Sequence, residues 1–315
     1  MRPVELLMAL ILDGLIGEPR SWHPLVGFGH LARCVERLLN IEALAPTFRH
    51  TQAVMNYGLG SIAVLLVAVP VVLLVVVGLH LRLIAPLLST AALYMVLGHR
   101  SLHEHARAVE RELNRLDLEA ARRQVGMLVS RDTHDMDAHR ISAATVESIL
   151  ENGNDALFGA LFWFMIAGAP GALAYRLINT LDAMWGYRTA RYRHFGWAAA
   201  RLDDVANLIP ARLTALSYAI VGHTKSALRC WREQAPRWDS PNAGPVMASG
   251  AGALGVQLGG GAFYHGRWRE RPVLGAGRAA CCADISRAEQ LLMRALLLWV
   301  FSLFLVFEIT RWLHA

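Results

Sequence analysis

Between Asn179 and Asp204 the chain reads NTLDAMWGYRTARYRHFGWAAARLDD, setting Asp182, Asp203 and Asp204 around arginines 188, 191, 193 and 201. Carboxylates mixed with asparagine suit Mg²⁺, a hard cation that prefers oxygen. Planar guanidinium forks suit phosphate or carboxylate. Arg188, Arg191 and Arg193, interleaved with Tyr187 and Tyr192, are therefore candidates for holding phosphates. Upstream, Arg176, Asn179 and Asp182 recur every three residues, and Asn207 follows the aspartate pair. A basic membrane-surface loop pairing its own acids has the same spacing, and the residues alone leave both readings open.

A second acid set precedes it. Glu147, Glu151 and Asp155 stand at i, i+4 and i+8, one face of a helix, with Asn152 beside them. They abut LFGALFWF, where an unpaired carboxylate is costly. Glu151 and Asp155 are accordingly candidates for function, against the alternative of a solvated helix face. Three weaker motifs carry less. GAGALG (250–255) follows no apolar strand run, so close packing of small residues explains it better than a dinucleotide loop. GHTKS (222–226) lacks the glycine a P-loop places before lysine. His99, His103 and His105 on a charged helix read as solvated rather than metal-binding.

These groups sit in a greasy chain. Of 315 residues, 55% are hydrophobic and only 18% charged, below the ~25% usual for soluble domains. The uncharged run from Thr51 to Leu79 exceeds the ~20 residues that cross a hydrocarbon core. Near the end, LLMRALLLWVFSLFLVFEITRWL is a second candidate span, with Trp299 and Trp312 suited to the interfaces. The expectation is an integral membrane protein. The N-terminal apolar stretch is interrupted by Glu5 and Asp13 and followed by no small-x-small cleavage site, so it reads as a retained helix. The net charge of +6 is almost wholly arginine, Lys225 being the only lysine. No basic run is interleaved with aromatics as a strand-binding groove would need, so nucleic acid is not an expected partner. Cys34, Cys230, Cys281 and Cys282 show neither zinc spacing nor a disulfide framework.

The expected fold is all-α: a helical bundle forming a single membrane-embedded domain over 1–315. Within it, 1–98 are N-terminal membrane helices, with 53–79 and 83–98 a hairpin turning at 80–82. Residues 99–155 are amphipathic cytosolic helices, 156–222 the polar-site block, 223–290 a cytosolic loop region, and 291–315 the C-terminal membrane helix. GAPG (168–171) can join two half-length helices, predicting a re-entrant pair around 156–178 with both ends facing the cytosol. A kinked single span is the alternative.

The pieces LDGLIGEPRSWHPLVGFG, VSRDT, ESILENGNDALFGALFW, the block from Gly168 to Leu216, and SPNAG followed by GALGVQLGG occur in this order. Together they resemble adenosylcobinamide-phosphate synthase, the CobD/CbiB family of cobalamin biosynthesis, over most of the chain. The resemblance implies an acid–amine ligase that joins adenosylcobyric acid to (R)-1-aminopropan-2-ol phosphate, consuming ATP with Mg²⁺. It also implies a bacterial inner-membrane, multi-pass protein facing the cytosol, neighbouring the other late cobalamin-pathway membrane enzymes. Glu151, Asp155 and Asp182 then become candidates for catalysis. Asp203 and Asp204, with Asp182, are candidates for the metal. Arg131, Asp132, Asn152, Arg176, Asn179, Tyr187, Arg188, Arg191, Arg193, Ser240 and Asn242 are candidates for binding substrate or phosphate. Where the family commonly has Asp-Gly this chain has Asp155-Ala156, and PVMAS follows SPNAG in place of a bulkier polar run. The rivals are a membrane sensor or regulator and a corrinoid transporter. The dense acid–arginine set argues against the first, and the lack of paired repeats against the second.

Overall fold

The computed structural model describes residues 3–19, 23–41, 50–264 and 266–313, so Arg20–Trp22 of the first family motif lie outside the described residues. Helices α1 (Pro3–Ile16), α2 (Pro24–Leu39), α3 (His50–Leu79) and α4 (Ala85–Val96) come first. Next are α5 (His99–Asn114), α6 (Leu118–Val125) and α7 (Ala138–Gly153), the last running through a π-helical turn, Asn154–Phe158, into α8 (Gly159–Trp185). Then follow α9 (Trp197–Ala206), α10 (Leu208–Val221), α11 (Thr224–Gln234) and α12 (Ala243–Leu254). Five short strands, β1 (Val256–Gly259), β2 (Ala262–Tyr264), β3 (Arg267–Arg269), β4 (Val273–Gly275) and β5 (Arg278–Ala279), precede α13 (Ala283–Leu313). The protein is a predominantly helical membrane protein, as its composition dictates.

The chain packs as two compact units, 1–98 with 159–207 and 99–158 with 208–315. The polar-site block expected at 156–222 is thus shared between them, dividing at Gly159 and again after Asn207. In the first unit, α2, α3, α8 and α9 close around Phe28, Val64, Val67, Leu177, Leu181, Trp185 and Phe195. Trp185 and Phe195 meet edge to face with centroids 5.1 Å apart. Such a pair adds about 1 kcal/mol beyond its buried area. In the second unit, Phe158 packs on Tyr218 and Trp299.

Among the described residues, three helical stretches are long and apolar enough to cross a membrane: Ala53–Leu79, Ala138–Trp185 and Ala283–Ile309. Ala53–Leu79 has a mean hydropathy of 3.3 and keeps most of its surface exposed, as a lipid-facing helix should. Its expected partner over 83–98 is the twelve-residue α4. At 1.5 Å per residue that helix is too short to cross alone, which corrects the two-span hairpin. Trp299, expected at an interface, is instead buried and donates its indole N–H to Ser217 Oγ at 2.8 Å.

The middle stretch folds back on itself. Gly168 has φ 67° and ψ −159°, a conformation open essentially to glycine alone, and Pro170 follows it. The two legs then run side by side, because Gly159 lies against the Tyr175 phenol with no room for a side chain between them. A straight helix would hold those residues about 24 Å apart. The helical pair expected at GAPG is therefore a hairpin rather than a kinked rod.

Residues 223–290 contain more structure than loops. Strand β1 pairs with β4 antiparallel and β5 parallel, and β2–β3 form a hairpin with Phe263 opposite Trp268. GAGAL of this motif lies inside the wholly buried α12 and Gly255 caps it in a left-handed conformation, so the small residues serve packing and the helix end.

Candidate active site

In the first unit, α8 and α9 bring the acids of the 179–204 stretch together. Asn179 Nδ2 donates to Asp203 Oδ1 at 3.2 Å. Asn207, where α9 ends, donates to both oxygens of Asp203 at 3.2 Å each, and its own carbonyl oxygen accepts from the Tyr175 hydroxyl at 2.9 Å. Arg176 Nη1 reaches Asn179 Oδ1 at 3.4 Å, and its buried Nε has no hydrogen-bond partner among the described residues. Asp204 pairs with Arg201 at 2.9 Å. Asp203 and Asp204 both lie close enough to Asp182 to act on it by charge repulsion, with Arg201 opposing them. Burial raises the Asp203 carboxyl above its ordinary range, the two asparagine amides work against that rise, and Asp204 adds to it.

Beside these acids opens a groove of about 510 Å³ lined by Tyr57, Tyr187, Arg188, Tyr192, Arg193, Trp197 and Arg201, with Gly186 at its edge. Gly186 abuts the Asp182 carboxylate, and Arg201 carries the Asp204 pair, so groove and acids adjoin. Arg188, Arg193 and Tyr187 are exposed here as a phosphate-holding role requires. Arg191 is not. It forks onto buried Glu36, with Nε and Nη2 at 3.0 and 2.9 Å from Oε1, while its backbone carbonyl accepts from Asn40. Its charge is spent holding α2 to the 186–196 turn, which corrects its assignment to phosphate.

The described residues contain no group of three His, Cys, Asp or Glu side chains drawn to metal-ligating distance. Asp182, Asp203 and Asp204 do not form a closed cage. Their all-oxygen chemistry fits Mg²⁺ in its usual manner, held by one or two carboxylates and completed by water and substrate phosphate oxygens.

The second unit holds the other acids. Glu147 is buried between Arg131 and Arg271, at 3.0 Å from Arg271, and accepts the Gly259 N–H at 2.7 Å. Arg271 also lies over the Trp238 ring, 4.5 Å from its centroid. Arg131 is thus an internal partner of Glu147. Glu151, one turn on, lies within reach of the charges of Glu147, Arg271 and Arg131. Asp155 is carried by the π-helical turn, where the extra residue breaks the i, i+8 register assumed from the sequence. There it accepts from Asn154 Nδ2 at 2.8 Å, Asn154 Oδ1 accepts from Thr214 at 2.9 Å, and Tyr218 donates to the Leu150 carbonyl at 3.1 Å.

Other candidates here are occupied by the fold. The Asn152 amide turns back onto Ser148. Asp132 pins the β2–β3 hairpin, its N–H donating to the Phe263 carbonyl and its carboxylate accepting from Gly266 N–H at 2.7 Å. Ser240 Oγ accepts the N–H groups of Asn242 and Ala243 at the start of α12, and Asn242 Oδ1 accepts from Arg212 at 2.6 Å. SPNAG is therefore a helix start. A cavity beside Glu147 is lined by Arg131, Arg140 and His134 together with Asp132, Asp135, Phe263 and Trp268.

Sequence reasoning missed Arg201, Tyr57, Trp197 and Arg271. Arg201 had a signal, standing three residues before Asp204 on one helix face. Tyr57 and Arg271 reach their sites only through tertiary packing.

Fold and site define a membrane-embedded helical protein with an acid–arginine centre. The family described as CobD/Cbib protein matches residues 6–292, and the chain belongs to it. It is 54% identical to the cobalamin biosynthesis protein CobD of Chromobacterium violaceum, over 93% of this chain and 92% of that one. It is 50% identical to the CobD of Stutzerimonas stutzeri over 99% of both chains. It is 40% identical to the CobD of Mycobacterium tuberculosis strain H37Rv over 91% of this chain and 90% of that one. No solved structure matches.

Proposed function

We propose that this chain acts in cobalamin biosynthesis as the ATP-dependent ligase joining adenosylcobyric acid to (R)-1-aminopropan-2-ol phosphate. The observation that carries the reading is Asp182, with Asp203 and Asp204, adjoining a groove into which Arg188, Arg193 and Arg201 project. Family membership narrows the substrates. A carboxylate is a poor electrophile, so the corrinoid propionate takes the γ-phosphoryl group of ATP, giving an acyl phosphate and ADP. The amine then attacks the acyl carbon, the amide forms, and inorganic phosphate leaves.

Phosphoryl transfer depends on positioning and charge neutralisation. Arg188 and Arg193 hold phosphate oxygens, and Asp182, Asp203 and Asp204 are the residues to hold Mg²⁺, which when bound offsets phosphate charge. Glu151 and Asp155 are proposed for catalysis, with Glu151→Gln and Asp155→Asn the variants that test for a general base. We place the protein in the bacterial inner membrane as a multi-pass protein, its site toward the cytosol, where ATP is supplied.

The test is a reaction in detergent with both substrates, ATP and Mg²⁺, following the corrinoid by mass. Amide formation with one ADP per product supports the ligase. A folded protein that forms no product beside a working control synthase refutes it and favours the regulator.

A further inference from the structure

We infer that the groove of the first unit is a nucleoside-triphosphate site, with the purine on the rings of Tyr57, Tyr187 and Trp197 and the phosphates against Arg188, Arg193 and Arg201. The inference rests on the ligase reading above and gives that reaction a place for ATP.

The lining chemistry is the first reason. Among the described residues, every charged side chain that lines the groove is an arginine, and no carboxylate lines it. Among the described residues neither Arg188 nor Arg193 is engaged in an ion pair. The groove is therefore built for an anion, unlike the mixed-charge cavity of the second unit. Its aromatic lining is the second reason. Tyr57, Tyr187 and Trp197 stand 37%, 51% and 49% exposed, apolar surface left facing the groove. Tyr57 and Trp197 meet at 84° with centroids 5.6 Å apart, forming a corner in which a flat heterocycle can lie on one ring and meet the edge of the other. The cavity volume of about 510 Å³ lies in the range of sites for small organic ligands.

The third reason is what adjoins the groove. Arginines and aromatics at a membrane surface also suit an anionic lipid headgroup. Asp182 and Asp203 argue for the nucleotide, because carboxylates beside the groove repel a bare phosphodiester but accept the cation a triphosphate brings.

Equilibrium binding to the full-length protein in detergent, with Mg²⁺, tests the site using ATP, inorganic tripolyphosphate and phosphatidylglycerol vesicles. Trp197→Ala is expected to raise the Kd for ATP about tenfold, the loss of one base–aromatic contact, with tripolyphosphate affinity unchanged. Arg193→Gln is expected to weaken both. Tyr187→Ala, at an exposed position, repeats the first result should Trp197→Ala fail to fold. Unchanged ATP affinity in Tyr187→Ala and Arg193→Gln overturns the inference, as does a loss confined to the lipid vesicles. ATP binding that follows these substitutions without any amide product would keep the site and remove the ligase reading. Amide formation whose KM for ATP ignores them would do the reverse.

Discussion

Asn207 donates to both carboxylate oxygens of Asp203, at 3.2 Å each, and is itself fixed by the Tyr175 hydroxyl. A carboxylate so oriented has its free lone pairs aimed in a set direction, which is what a ligand to a cation needs. Asn207→Ala should weaken Mg²⁺ about 10- to 100-fold, read from the metal dependence of turnover, while the protein stays folded. An unchanged Mg²⁺ dependence would remove Asp203 from the metal-holding set.

Arg191 and Glu36 make the opposite kind of pair, one that stabilises the first unit without touching substrate. Among the described residues, Arg191→Ala leaves buried Glu36 with only the Asn40 amide, 3.3 Å away. Stranding a buried acceptor costs about 1–3 kcal/mol. The half-exposed guanidinium places this case toward the lower end. The melting temperature should fall and KM for both phosphorylated substrates should hold. A raised KM with an unchanged melt would return Arg191 to phosphate binding.

Glu147 and Glu151 share a helix face but should fail differently. Glu147 satisfies Arg131, Arg271 and the Gly259 N–H, so Glu147→Gln should lower thermal stability. Glu151→Gln should leave the melt intact and reduce turnover about 10²-fold or more, the usual scale for losing a general base. Intact turnover in Glu151→Gln would assign the base elsewhere, with Asp155→Asn the next variant to measure.

Much of this was legible in the sequence because bilayers and helices impose strong patterns. The uncharged run to Leu79, the amphipathic 99–125 region and the GAPG break all became the elements their periodicity dictated. Asp182, Asp203 and Asp204 lie near enough for their charges to interact. What could not be read was which charged groups the fold had already used. Arg131, Arg191, Asp132 and Asn242 have the residue types of a binding site, yet their partners are distant in sequence, at Glu147, Glu36, Gly266 and Arg212. The π-helical turn was equally hidden, since one extra residue changes a helix face without changing its composition. The short strands escaped because Gly-rich segments of two to four residues carry too little alternation.

The raised carboxyl of Asp203 sets a pH dependence whose sign is fixed. Its folded pKa lies above the unfolded value of about 3.9, so the protonated form is preferred in the native state. That contribution to stability is fully present below about pH 3.9 and is lost as pH rises through the folded pKa. Asp203→Asn removes the titration. Melts across this range without added Mg²⁺ should therefore show the variant gaining stability relative to the parent as pH rises. The opposite slope would mean that the Asn179 and Asn207 amides outweigh burial.

The contact between Gly159 and Tyr175 makes a topological prediction. A hairpin closed at Gly168 returns the chain to the side it came from, whereas a kinked span would deliver the arginine-rich 187–201 stretch to the far side. The positive-inside rule favours the same arrangement, because arginines 122, 123 and 131 precede the hairpin as arginines 188, 191, 193 and 201 follow it. With the four native cysteines replaced by serine, His134→Cys and Ala190→Cys each supply one exposed thiol, before and after the hairpin. An impermeant maleimide applied to sealed membrane vesicles of known orientation should label both from one side. Labelling from opposite sides would require the chain to cross between them. Gly168→Ala gives an independent reading, since forcing a Cβ into that backbone costs about 1–3 kcal/mol and should lower stability without changing which side is labelled.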